Sequence, residues 1–219
     1  MTQPAIKLLN ARFTYPKNTF TVYCDMLCLN TGRITLVTGK NGSGKTTVLK
    51  LCCKILRPQI GSLYIFGEDA KKWPLGRIGQ SIGYLFQEPS HQLFTATVWD
   101  EMTFIGGIRG DDSEKTKEKA LELLDRFNLL DFKERSIYRL SRGEKQRLAL
   151  AAILMQDIRY LILDEPTTGL DAKNRNILYS QIESLSDKGI GIAVISHSGE
   201  LISRYGENKI VVENGRVVL

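Results

Sequence analysis

The sequence predicts an α/β fold: a mostly parallel sheet with helices on both faces, an N-terminal antiparallel β region and an inserted α-helical subdomain. Three observations predict it. Strand-like alternation fills the first thirty residues, after which strand-like and helix-like segments alternate. A glycine-rich turn joins a short apolar strand to an apolar helix. A helical stretch over about 98–136 interrupts the alternation.

The elements follow in order. Residues 6–15 and 19–29 read as strands, with a turn at Pro16-Lys17-Asn18. In the second, Phe20, Val22, Cys24, Met26 and Cys28 fall on one face, which predicts core packing for Cys24 and Cys28. Residues 33–38 form the short apolar strand. Residues 46–56 read as a helix that is apolar almost all round and therefore buried. Residues 62–66 and 82–86 are further short strands. Residues 98–108 and 113–130 read as helices; in the second, Ala120, Leu121, Leu124 and Phe127 make one apolar stripe behind a charged start. Residues 144–155 are helical, 160–163 a buried strand, 172–187 a helix and 190–196 a strand. Residues 209–212 and 216–218 close as a hairpin around Asn214-Gly215.

At 219 residues the chain suits a single domain spanning 1–219, with a helical subdomain at about 88–140. Ordinary composition excludes a disordered, collagen-like or disulfide-framework protein. The net charge of +6 suits phosphate ligands, nucleic acid or an anionic membrane face without choosing among them. The longest apolar run is eight residues, Leu148 to Met155, against the roughly twenty that a membrane span needs. The expectation is a cytoplasmic chain whose membrane role, if any, comes through a partner. Four cysteines without a C-x-x-C pair, and only two histidines, argue against a zinc site.

Gly39-Lys40-Asn41-Gly42-Ser43-Gly44-Lys45-Thr46 fits G-x-x-x-x-G-K-[ST] between a strand and a helix. Glycines let the backbone curl so that successive N–H groups face phosphate oxygens, and the helix dipole adds positive potential there. Lys45 is expected to reach the β- and γ-phosphates and Thr46 to hold Mg²⁺, with Thr47 completing the nucleotide contacts. This loop predicts a nucleoside triphosphate and leaves kinases, GTPases, helicases and transporters open. The apolar run Leu161-Ile162-Leu163 ends in Asp164-Glu165, 119 positions beyond the loop lysine (164 − 45). Asp164 is expected in the Mg²⁺ shell and Glu165 as the group that polarises the attacking water. No N-K-x-D tetrapeptide is present, so ATP is preferred over GTP.

Leu140-Ser141-Arg142-Gly143-Glu144 narrows the class. Ser141 and Glu144 form an S-x-x-E capping box before an apolar helix, and such an exposed helix start is also an anion site. Here the chain resembles the nucleotide-binding subunit of ATP-binding cassette (ABC) transporters, whose LSGGQ signature matches this pentapeptide except for Arg142 in place of glycine. The resemblance covers essentially the whole chain and implies the P-loop NTPase fold of an ABC ATPase. It implies that Ser141 and Gly143 approach the γ-phosphate of ATP bound on a second subunit. It also implies that Tyr15 stacks on adenine and that Gln87 senses Mg²⁺ and the attacking water. Asp171, in Gly169-Leu170-Asp171, falls in the D-loop, and His197 is the switch histidine at the γ-phosphate. Ser198 stands where the family often has aspartate.

The segment Gln87-Glu88-Pro89-Ser90-His91-Gln92-Leu93-Phe94-Thr95-Ala96-Thr97-Val98-Trp99-Asp100-Glu101 is similar to one in ATPases of energy-coupling-factor (ECF) importers. That resemblance implies vitamin or transition-metal uptake, with a second ABC ATPase subunit, a transmembrane coupling protein and a substrate-binding membrane protein as partners. It places the chain at the cytoplasmic face of the membrane, with Leu93, Phe94 and Trp99 exposed for a partner helix. Unlike many of that group, the chain stops right after the hairpin, so an extension that helps dimerisation is not expected. The alternative is a soluble ABC ATPase acting on nucleic acid or ribosomes. The stretch 133–147 holds six basic and two acidic residues around Tyr138. Against it, only 54 positions separate Gln87 from Ser141, with no heptads or cysteine cluster between them. A P-loop small-molecule kinase is disfavoured by the signature, glutamine and histidine together.

Overall fold

The computed structural model describes residues 3–16 and 20–218. In chain order the elements begin with strands β1 (Ile6–Thr14), β2 (Thr21–Leu29) and β3 (Ile34–Thr38), then helix α1 (Lys45–Cys52). Next come β4 (Ile60–Ile65), β5 (Glu68–Asp69), α2 (Leu75–Gly79) and β6 (Ile82–Leu85). Helices α3 (Val98–Arg109), α4 (Ser113–Arg126) and α5 (Arg142–Leu154) precede β7 (Tyr160–Asp164), α6 (Ala172–Asp187) and β8 (Gly191–Ile195). Helix α7 (Gly199–Tyr205), β9 (Lys209–Glu213) and β10 (Arg216–Val218) follow.

Among the described residues the strands form one sheet in the order β5-β4-β1-β2-β10-β9-β3-β8-β7-β6. Pairing is parallel from β9 through β3, β8 and β7 to β6, and antiparallel among β1, β2, β4 and β5. Every residue of β6, β7 and β8 is buried, as expected where helices cover both faces of a parallel sheet. Alternation then sorts the side chains. Leu161, Leu163, Ile192 and Val194 join the core that includes Met102 of α3, Leu124 of α4, Leu148 of α5 and Ile182 of α6. Tyr160, Ile162, Ala193 and Ile195 join the other core, with Val48, Leu49 and Leu51 of α1 and the antiparallel strands.

The structure corrects several expectations. The turn at Pro16-Lys17-Asn18 and the start of the second strand fall largely outside the described residues. The cysteine face is interrupted: β2 buries Val22 and Cys24, exposes Met26, then buries Leu27 and Leu29, which leaves Cys28 half-buried. β1 switches faces at the same level, burying Leu8 and then Ala11. The cause is a bulge at Asn10, which takes a left-handed φ of 47° where the β1–β4 register shifts. Burial pushes the Cys24 and Cys53 thiols up to about 12, which leaves them inert.

Helix α1 stops at Cys52 because Lys54 adopts φ 58°. Its ammonium turns inward and donates to the carbonyls of Ala70, Lys71 and Trp73. Helix α4 stops at Arg126 because Asn128 takes a left-handed turn and Leu129 N–H returns to Leu124 O. Its stripe includes Ala120, Leu124 and Phe127 as expected, but Leu123 is buried and Leu121 exposed. The short helices α2 and α7 have too few residues for a periodic pattern. The final hairpin forms as expected, with Asn214 and Gly215 both at positive φ.

Opposite the Asn10 bulge, Gly61 sits at φ 105°, where a Cβ would lie 2.5 Å from Leu9 O and 2.6 Å from Ala11 Cα. Gly61→Ala is expected to destabilise the fold by about 1–3 kcal/mol, read as a lower urea midpoint with an unchanged slope.

Candidate functional site

The loop between β3 and α1 is shaped by close backbone approach. Gly39 has φ 142°, and a Cβ there would lie 2.1 Å from Val212 O on β9. The tip of the final hairpin closes the same loop, with Gly215 N–H donating to Ser43 O. Gly44 at φ 106° opens α1 against Val22. A cavity of about 580 Å³ lies alongside, lined in part by Gly39, Asn41, Gly42, Ser43, Phe20 and Asn214. The Ser43 hydroxyl is buried with no hydrogen-bond partner. The Lys45 ammonium donates to the Gly39 and Lys40 carbonyls at 2.9 Å each. Burial pulls its pKa down, against the opposing charges of Glu165 and Asp164. An orphaned hydroxyl and an ammonium held on neutral carbonyls in one loop fit an anion, since charge-assisted contacts outcompete neutral ones.

Asp164 ends β7 and is 3% exposed. Thr46 Oγ1 donates to one of its oxygens at 3.0 Å and Tyr84 OH to the other at 2.9 Å. Burial raises the carboxyl above its usual range, opposed by these two hydrogen bonds. The Thr46 hydroxyl and the Asp164 carboxylate are hard oxygen donors. No group of three or more His, Cys, Asp or Glu able to hold a metal occurs among the described residues. Two protein oxygens beside a phosphate site fit Mg²⁺, which completes its shell with substrate phosphates and water.

Glu165 follows in a left-handed conformation, φ 48°, with its N–H on Ile195 O. Gln87 Nε2 donates to Glu165 Oε2 at 3.0 Å, Thr168 Oγ1 at 3.2 Å, and His197 Nε2 stands 4.0 Å from Oε1. Gln87, Glu165 and His197 are therefore brought together from the ends of β6, β7 and β8. Tyr15, half-buried and edge-on to Phe13, has its hydroxyl 3.2 Å from Thr47 Oγ1. That links the end of β1 to the first turn of α1.

The signature residues sit elsewhere. Ser141 caps α5 in a complete capping box with Glu144, at 2.7 and 3.3 Å. Gly143 is buried against Asn174. Asp171 caps α6 by accepting from Asn174 N–H at 2.7 Å. Among the described residues, no hydrogen bond joins Ser141, Gly143 or Asp171 to the phosphate loop.

Two positions depart from expectation after Gln87. Leu93 is buried and Trp99 partly so, both packed in the core, and only Phe94 stands exposed. Phe94 meets Phe104 at 4.8 Å, with Ile108 exposed one turn on. The buried Glu101 fixes this bend by accepting from Phe94 N–H, Thr95 N–H and Thr95 Oγ1. Gln92 accepts from Phe86 N–H at 2.9 Å, which anchors the segment leading to Gln87. Sequence reasoning missed Tyr84, whose phenol lies in an apolar run that carries no polar signal.

The ABC transporter family model matches residues 25–168, more than half of the chain. This chain belongs to the ABC transporter family, as an ATP-binding, ATPase-type domain. It is 34% identical over 212 residues to a putative ABC transporter ATP-binding protein of Caldanaerobacter subterraneus subsp. tengcongensis, covering 97% of this chain and 37% of that one. It is 33% identical over 219 residues to the energy-coupling factor transporter ATP-binding protein EcfA2 of Methanospirillum hungatei, covering 99% and 55%. The chain thus spans about a third to about half the length of these two curated relatives. The structure of cbiO1 from Clostridium perfringens, part of the cbiONQ ABC transporter complex, superposes with a TM-score of 0.87 at 27% identity. That match covers 100% of this chain and 88% of that one.

The raised Asp164 pKa has a stability consequence. The folded state holds this proton more tightly than the unfolded chain, so ionising Asp164 costs stability as pH rises through that window. Asp164→Asn keeps an oxygen for Tyr84 and removes the charge. It is expected to raise the melting temperature of the ATP-free chain at neutral pH, with the gain disappearing in acid.

Proposed function

We propose that this chain is the ATP-binding and hydrolysing subunit of an ABC transporter, of the ECF importer type, taking up a vitamin or a transition-metal ion. One observation carries the ATPase reading. Gln87, Glu165 and His197 converge at the strand ends beside the Thr46–Asp164 pair, while no hydrogen bond among the described residues joins the capping residue Ser141 of α5 to the phosphate loop. Such a divided set suits a site completed by a second subunit, same or different, with residues 88–140 acting as a subdomain that carries the signature toward its partner.

In this reading Tyr15 stacks on adenine, and Gly39, Asn41, Gly42, Ser43, Gly44 and Thr47 surround the phosphates. Lys45 leaves the two carbonyls for the β- and γ-phosphates. Thr46 and Asp164 hold Mg²⁺, with Gln87 nearby, and the ion supplies charge neutralisation on the phosphates when bound. Glu165 accepts a proton from the attacking water, Gln87 orients that carboxylate, and His197 donates to the γ-phosphate. Ser141 and Gly143 of the second subunit close on the same phosphate, with Asp171 beside the interface. ATP then joins two subunits, and hydrolysis releases them.

The importer assignment leans on the Gln87–Glu101 segment and on the names of the ECF relative and the cbiO1 neighbour. Phe94, Phe104 and Ile108 form an exposed apolar patch suited to a helix of a membrane coupling protein, which in turn carries a substrate-binding membrane protein. No helix among the described residues is long and apolar enough to cross a membrane, consistent with a peripheral subunit at the cytoplasmic face. No nucleic acid is expected. In the basic stretch, Arg147 is tied to Phe127 O and Asn174, and Arg135 stacks on Phe132.

Purification of the tagged protein from detergent-solubilised membranes is expected to bring two or more small hydrophobic proteins; ribosomes or DNA instead would overturn the transport reading. Lys45→Ala is expected to abolish ATP binding or turnover, measured by nucleotide titration and phosphate release. Glu165→Gln should retain ATP binding while hydrolysis falls by on the order of 10²–10⁴. An undiminished rate in that variant would remove Glu165 from the base role.

A further inference from the structure

Arg142 stands where the resemblance expects glycine, and its side chain has a definite place. Its Nη2 lies 3.4 Å from Gln87 O and 3.6 Å from Glu88 Oε2. Its stem and Nε lie against Gly169, where a Cβ would come within 3.1 Å of Nε. Gly169 has φ 75°, so both backbone and space there favour glycine. One guanidinium therefore ties the first turn of α5 to the loop after β6 and to the loop after β7. The Gln87 that it holds by the backbone carbonyl is the residue whose side chain contacts Glu165.

We propose that Arg142 is a positioning residue, an electrostatic latch that holds the signature helix to the Gln87–Glu88 segment in the ATP-free chain. The latch opens when α5 moves toward ATP on a second subunit. The inference rests on the proposed reading that ATP is closed between two subunits. Arg142 and Glu88 keep 41% and 40% of their side-chain surface exposed. Such a pair is weak and screened by salt, which is what a contact broken in every cycle requires. Breaking it lowers the cost of the closing motion and speeds basal turnover.

Glu88→Gln tests this cleanly. Glu88 accepts from Ser90 N–H and Oγ at the start of the turn over Pro89–His91, and a glutamine oxygen keeps that role. Arg142 itself stays in place. In the ATP-free chain at low salt, amide hydrogen exchange at 87–90 and 142–146 is expected to rise about twofold to fivefold in Glu88→Gln and Arg142→Gln alike. Added salt should raise the parent's exchange toward theirs while leaving the variants unmoved, and Arg142→Lys should keep the salt sensitivity. ATP turnover by Glu88→Gln is expected to exceed the parent's by a similar factor and to lose its salt dependence. Exchange unchanged in both variants, or Glu88→Gln turnover at or below the parent's, overturns the latch. Failure of the parent to form an ATP-dependent dimer would strike the two-subunit reading instead, and the exchange measurement needs no ATP.

Discussion

The site hangs on one buried carboxylate. Asp164 ends β7, the strand next to the β6 edge of the sheet, and takes hydrogen bonds from Thr46 on α1 and Tyr84 on β6. It thereby joins the phosphate-loop helix to two adjacent strands of the parallel sheet. A carboxylate at 3% exposure is costly to ionise, and the two hydrogen bonds offset only part of that cost, since burial still raises its pKa. The same oxygens are suitable for a divalent cation. The group that organises the site is also one whose charge a divalent cation would offset, so cation binding and local stability are linked at one carboxylate.

Much of this was legible in the sequence. The phosphate loop, the acidic strand end and the capping box are local patterns, and the chain folds them locally: Lys45 begins α1, Asp164 ends β7 and Ser141 caps α5. Asn214-Gly215 makes its turn because few other pairs tolerate two consecutive positive φ values. What stayed hidden depends on contacts between distant segments. The face switch in β1 and β2 needs the Asn10 bulge and the space left by Gly61, and no period in either strand alone reveals it. Leu93 is buried because the bend held by Glu101 turns it inward, against the expectation from a run of large apolar residues.

Arg142 illustrates the same limit at the candidate site. The sequence marks it only as a departure from a glycine. Its meaning comes from Gly169 and Gln87, which lie 27 and 55 positions away (169 − 142 and 142 − 87). The three loops that follow parallel strands β6, β7 and β8 end on the same edge of the sheet, as in open α/β sheets generally. Parallel pairing, set by burial on both faces, is what gathers Gln87, Glu165 and His197 from segments far apart in the chain.

The final hairpin buttresses the loop between β3 and α1. Gly39 lies against Val212, Gly215 donates to Ser43, and Thr38 reaches Ile210 across 172 positions of sequence. During synthesis the loop and its lysine leave the ribosome long before those supports exist. These supports reach the loop only once β9 and β10 have emerged and docked. The loop and the hairpin that supports it are thus coupled through contacts of long sequence separation, which form only when both segments of the sheet are present.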